Sequence, residues 1–156
     1  MLALQETKLE DAKFPTAALE AAGYHSAFSG QKTYNGVALL ARAPIVDVEH
    51  GIAGFDDPQR RILSATVGDV RFVNLYVVNG QAVGSEKYAY KLDWLAKVTT
   101  FLGEEIRRHP RLVVMLIGRT DRNWLAGFDG LLRGEAHAPR LRSRPCRPAS
   151  ARCRLC

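Results

Sequence analysis

The sequence predicts an α/β protein, a mixed sheet with helices packed against it. Short apolar runs bounded by turn residues recur along most of the chain, as strands do. Two of them, 62–67 and 70–77, flank Gly68-Asp69 and read as a β-hairpin. A long amphipathic stretch then leads to a further apolar run at 112–117, which makes a strand–helix–strand crossover.

Taken in order, residues 2–5 are a short apolar run read as a buried strand. Residues 14–22 read as a helix, with Pro15 near its start, an Ala/Leu interior and Gly23 where a stop belongs. A strand is expected at 24–29. The run 36–41 is apolar on both faces, as central strands are. Residues 45–49 alternate, which predicts one wet face. After the hairpin, Ser85 is placed to cap a helix reaching Arg108, with Tyr88, Leu92, Leu95, Thr99, Leu102 and Ile106 at three- and four-residue steps. His109-Pro110 ends it, and 112–117 is expected to be a buried strand. No internal repeat is present.

The chain has 156 residues, 47% apolar and 24% charged, ordinary for one globular domain. No apolar run approaches the roughly 18 residues of a membrane-spanning helix, so no membrane partner is expected. The acids in the opening MLALQETKLEDAKF argue against a signal peptide, and a cysteine-free body suits a reducing cytoplasm. The net charge of +6 is unevenly held: residues 131–156 carry seven arginines against Glu135, and residues 1–130 are neutral. The basic charge therefore says nothing about the body's partners.

All three cysteines, Cys146, Cys153 and Cys156, lie in that basic tail. Their spacing lacks a fourth ligand for a structural zinc ion. The tail has no period and few large apolar residues, so it reads as disordered. Its Arg, Pro, Ala, Ser and Cys content fits either an altered reading frame of GC-rich DNA or a nucleic-acid-binding arm. The expected division is a partial domain over residues 1–130 and an Arg-rich tail over 131–156.

Four places mix polar and apolar residues beyond what a core needs. Gln5-Glu6-Thr7-Lys8 closes the first strand, where a carboxylate suits a hard cation such as Mg²⁺ or simply pairs with Lys8. The loop containing Lys32, Tyr34 and Asn35 touches a phosphate backbone or makes a plain turn. Tyr76 ends a strand before Asn79 and Gly80, and either holds a phosphate oxygen or packs as a core aromatic. Thr120-Asp121-Arg122-Asn123 lies past the last strand, where an Asp and an Asn two apart either converge or form a turn. Of Arg60 and Arg61, one reaches a phosphate or pairs with a nearby acid. His25, His50 and His109 have no evident partner.

Together, LQETK (4–8), GQKTYNGVALL (30–40), QRRI (59–62), NLYVVNG (74–80) and KYAYKLDWL (87–95) resemble exodeoxyribonuclease III of the endonuclease/exonuclease/phosphatase superfamily, from residue 1 to about 115. The resemblance implies a partial two-sheet mixed α/β sandwich flanked by helices, followed by the disordered tail. It implies a metal-dependent nuclease of DNA repair, with 3′–5′ exonuclease and abasic-site endonuclease activity. Mg²⁺ is the implied cofactor, Mn²⁺ its substitute, and the substrate is double-stranded DNA with abasic sites or 3′ ends. Glu6 matches the metal-binding glutamate and Tyr76 the tyrosine on the scissile phosphate. Lys32, Tyr34, Arg60 and Asn79 match positions facing the DNA. A cytoplasmic monomer is expected.

The departures from the pattern are as informative. The strand ending in a metal-site asparagine, which the family places upstream of LQETK, has no counterpart after Met1. The family's Gly-Asp-x-Asn directly follows its last strand of this half, whereas here LIGR intervenes. Asp121 as proton-handling residue and Asn123 as metal ligand are either that pair displaced by four residues or a coincidence of spacing. The closing Ser-Asp-His motif is missing, since Ala136 precedes His137, and Val78 replaces a proline after the tyrosine. A fragment with weak or no turnover and uncovered apolar faces is expected. The alternative is a non-catalytic DNA-binding protein that uses its Arg-rich tail.

Overall fold

The structure, a computed structural model, describes residues 1–118. Asp121, Asn123, His137, the domain boundary near 130 and the basic tail lie outside the described residues. The chain forms β1 (Leu2–Gln5), a 3₁₀ turn at Asp11–Lys13, α1 (Thr16–Ala21), β2 (His25–Ser29), β3 (Val37–Ala41) and β4 (Ile45–His50). It continues through β5 (Ile62–Val67), β6 (Val70–Tyr76), α2 (Glu86–Arg108) and β7 (Leu112–Ile117).

The strands make two sheets, one antiparallel in the order β1-β3-β2, the other mixed in the order β4-β5-β6-β7. The hairpin forms as read, with Val67 opposite Val70 and Ile62 opposite Leu75. The crossover through α2 brings β7 parallel to β6. The outcome is the expected two-sheet α/β sandwich with a helix on its outside.

Strand alternation divides the core into two layers. Val73 and Leu75 of β6, with Ile62 of β5, pack against Trp94, Leu95, Val98 and Leu102 of α2. The opposite faces of the same strands, carrying Leu63, Ala65 and Phe72, meet Val37, Leu39 and Ala27 of the first sheet. The central strand β3 is buried along its whole length, as an apolar run on both faces requires.

Two polar anchors hold these layers in place. Asn74 is fully buried between the sheets; its amide donates to the carbonyls of Leu4 and Ala38 at 2.9 and 3.1 Å, and its Oδ1 accepts from Gln5. At the other end of β6, buried Arg71 donates to Glu105 of α2 at 2.8 Å, and to Glu49 and the Asp47 carbonyl of β4, both at 2.6 Å. Both partners of the Arg71–Glu105 pair are removed from water, so each needs the other.

Several expectations are corrected. The helix expected at 14–22 is shorter, because Pro15 stands before its first turn. Among the described residues the strand at 112–117 is an edge and only half-buried, with Val113 and Ile117 exposed, since β6 alone of these pairs with it. The first strand, expected to be buried, is likewise an edge among the described residues, with Leu2 exposed. β4 is exposed on both faces after Ile45, because a bulge between Val46 and Glu49, with Asp47 at φ 50°, breaks its alternation. Among the described residues no helix is long and apolar enough to cross a membrane.

Candidate active site

Glu6 follows β1 in a turn that the backbone alone would not choose. Glu6 and Lys8 both have positive φ, 57° and 55°. The turn holds because Thr7 and Lys8 donate their amides to the carbonyls of Gly36 and Asn35, at 3.2 and 2.9 Å. Gly36 has φ +90°, and a Cβ there would lie 2.1 Å from Thr7 Oγ1, so this close approach needs glycine. The β3 entry thus presents the Glu6 carboxylate.

Tyr76 ends β6 on the face toward the first sheet. The Glu6 carboxylate and the Arg61 guanidinium both lie close enough to its phenol to act on its ionisation. Burial is the main reason its ionisation is pushed above the ordinary value of 10.0; the Glu6 hydrogen bond and charge add to the rise and Arg61 opposes it. At neutral pH Tyr76 is therefore a hydrogen-bond donor and not a base. Glu6 also pairs with Lys8 at 3.8 Å, so the surface-pair reading and the Tyr76 contact are present together.

Arg61 stacks on the Tyr76 ring with its guanidinium carbon 4.7 Å from the centroid. Its Nε donates to Gln59 Oε1 at 2.7 Å and Nη1 to the carbonyls of Tyr76 and Val77 at 3.3 and 3.4 Å. Burial lowers its pKa below the usual arginine range, while the oxygens of Tyr90, Tyr76 and Asp57 pull it back up. It remains a cation at any physiological pH.

Beside this group opens a cleft of about 640 Å³, lined among others by Tyr34, Asn35, Gln59, Arg61, Asn79 and Lys87. Lys32 is exposed in the loop before it, and Tyr34 is 68% exposed at its rim. Asn79 is exposed with its Oδ1 accepting from the Gln81 amide at 3.2 Å. Arg60 lines a smaller neighbouring cavity of about 140 Å³ together with Arg61, and its backbone amide donates to Gln31 Oε1 at 2.8 Å. Of the two arginines, Arg61 lines the larger cleft and stacks on Tyr76.

The structure therefore brings Glu6 and Tyr76 together, with Tyr34 and Asn79 around the adjacent cleft. The resemblance selects Arg60 over Arg61, and no spacing in the sequence singles out Gln59, Asp57 or Tyr90 for the site. A signal was present: extending the hairpin register one step beyond Ile62 and Leu75 puts Arg61 opposite Tyr76, and the Tyr76 amide does donate to the Arg61 carbonyl at 2.8 Å.

Mg²⁺ demands hard oxygen ligands, keeps several waters and is satisfied by one or two carboxylates. Glu6, half-exposed at a strand end, supplies one and fits that demand. Among the described residues no three His, Cys, Asp or Glu side chains form a complete cage. A cation here would be held by Glu6 and water as far as the described residues go.

Comparison with known proteins places the chain in a class. It belongs to the endonuclease/exonuclease/phosphatase family, whose model matches residues 1–147. Among curated relatives, exodeoxyribonuclease III of Haemophilus influenzae is 35% identical over 98 residues, 62% of this chain and 36% of its own length. Among solved structures, the Neisseria 3′ phosphatase NExo bound to a product DNA hairpin matches with a TM-score of 0.73 and 48% identity, over 78% of this chain and 49% of that one. NExo from Neisseria meningitidis, described as a 3′–5′ exonuclease, matches at 0.72 and 50%, over 74% and 45%. An AP endonuclease from Archaeoglobus fulgidus matches at 0.63 and 39%, over 66% and 40%. The chain thus spans between about a third and a half of the length of these relatives.

Proposed function

We propose that this chain carries a DNA phosphodiesterase site of the exodeoxyribonuclease III type, acting in DNA repair on double-stranded DNA with abasic sites or 3′ ends. The single observation that supports it is Tyr76 stacked under Arg61, which lines the cleft, with the Glu6 carboxylate acting on the same phenol, in a member of this family. A phosphodiester carries negative charge that must be balanced where the bond breaks. Mg²⁺, with Mn²⁺ as substitute, would be held by Glu6 and would supply Lewis-acid balance to the phosphate.

The chain's own residues have separate tasks in this reading. Tyr76, kept protonated, donates to a phosphate oxygen. Arg61 contributes fixed positive charge beside it, and Lys32, Tyr34, Arg60 and Asn79 contact the flanking DNA. Asp121 would handle a proton and Asn123 would add a metal ligand; both lie outside the described residues. With one carboxylate at the described site, turnover by the 156-residue chain is expected to be slow. We further propose a cytoplasmic monomer, with residues 1–130 as the catalytic part and 131–156 as a tail.

The test is an abasic-site duplex incubated with the full chain and Mg²⁺. The expected outcome is slow cleavage that chelation stops and Glu6→Ala abolishes. Cleavage that survives either treatment, or failure of the chain to engage DNA at all, overturns the proposal.

A further inference from the structure

Among the described residues Arg61 is the one cation stacked on Tyr76, and what holds it there comes from an unexpected direction. The segment between β4 and β5 is irregular apart from an isolated bridge between Ile52 and Phe55. Such a segment does not by itself give an arginine a single orientation. Yet a continuous run of hydrogen bonds joins it to the outer helix. Tyr90, on α2, donates its hydroxyl to Asp57 Oδ2 at 2.8 Å. The other oxygen of that carboxylate, Oδ1, accepts from the Gln59 amide at 2.9 Å. The Gln59 side chain then accepts from Arg61 Nε at 2.7 Å and from Asn35 at 3.4 Å. Lys97, two helical turns further along the same face, lies 5.0 Å over the Phe55 ring of the same segment.

We propose that Tyr90 and Asp57 are positioning residues: they form a latch, from α2 through Gln59, that sets the Arg61 guanidinium against Tyr76 and so prepares the site for a phosphodiester. The functional half of this inference rests on the nuclease reading above; the positional half does not. Each atom in the run has a definite role. Asp57 uses both carboxylate oxygens, one for the helix and one for the loop, so it converts the fixed place of α2 into a fixed place for Gln59. Gln59 uses its carbonyl oxygen on Arg61, which orients the planar guanidinium over the ring. Neither Tyr90 nor Asp57 touches Tyr76 or Glu6 through any of these bonds, so their effect on the site passes through Arg61. The rise in Tyr90 ionisation, driven first by burial and then by the Asp57 bond, keeps the donor protonated across the physiological range.

The test uses the full chain and two readouts. The first is the arginine Nε–H correlation in a ¹⁵N-labelled sample, with the Arg61 signal assigned by its loss in Arg61→Lys. In the wild type this proton is expected at a shift and exchange rate typical of a bonded guanidinium. In Tyr90→Phe and, separately, Asp57→Asn, it is expected to move to the free-arginine position while circular dichroism reports an intact fold. An Arg61 signal that stays in place in both variants overturns the latch.

The second readout is binding of a DNA hairpin with a recessed 3′ end, in chelator, so that no turnover is needed. Tyr90→Phe and Arg61→Gln should each weaken binding roughly five- to tenfold, and the double variant should be no weaker than Arg61→Gln alone. Additive losses would overturn the claim that Tyr90 acts through Arg61. A wild type that does not bind the hairpin overturns the nuclease reading, and leaves the positional claim to be decided by the Nε–H signal.

Discussion

At the scale of single residues, the site depends on a few side chains whose partners are specific. Glu6→Gln removes the charge that opposes ionisation of Tyr76, so the phenol should titrate closer to its ordinary value of 10.0, while burial keeps it somewhat above. The ultraviolet titration difference between Glu6→Gln and Glu6→Gln/Tyr76→Phe reads this directly, and no downward movement would contradict the contact. Asn74 is a second such residue. Asn74→Ala leaves the buried carbonyls of Leu4 and Ala38 without their donor and should cost about 3 kcal/mol in urea unfolding. The roles of Asn74 and Arg61 were only half legible in the sequence. A buried asparagine in a strand reads like any polar residue until the second sheet that it bonds is known.

At the scale of elements, α2 does more than cover the sheet. Its start is capped by Ser85, whose hydroxyl accepts from the Tyr88 amide at 3.2 Å, so Ser85→Ala should lower stability by about 1 kcal/mol. Thermal unfolding measures that loss, and no change in melting temperature would argue against the cap. The helix also sets a pH dependence. Tyr90 has its ionisation raised in the folded state, mainly by burial and then by Asp57. Below the ordinary tyrosine value both folded and unfolded chains hold that proton, so the contribution is fully present. As pH rises past about 10 the unfolded chain releases it first, and stability falls. Tyr90→Phe should therefore be less stable than wild type at neutral pH yet lose stability less steeply above pH 10. Denaturant midpoints measured from pH 8 to 11 check both signs; parallel curves would refute the linkage. The strands and α2 themselves were readable from periodicity, because burial of one face imposes it. The exposure of β7 was not, since an apolar strand looks the same at an edge as in the middle, and that of β4 was not, since its bulge between Val46 and Glu49 appears only in the pairing.

At the scale of the whole molecule, the two sheets with α1 and α2 leave β7 as an edge among the described residues, with Val113 and Ile117 exposed. Unpaired edges with apolar side chains invite pairing between chains. Ile117→Lys should therefore reduce the aggregation of this chain, a proposed monomer, at high protein concentration, read by light scattering, without lowering the unfolding midpoint; equal aggregation would show that this edge is not the contact.

The amino-acid order alone determined the hairpin about Gly68-Asp69, the capped helix from Ser85, the central strand and the family itself. Each of these is local, or is written in blocks of neighbouring residues. Only the tertiary structure decided that Glu6 meets Tyr76, that Arg61 and not Arg60 lies over its ring, and that a tyrosine on the outer helix holds the loop between them. Those pairings join residues dozens of positions apart, and they depend on how strands from two sheets register and stack, which no spacing along the chain encodes.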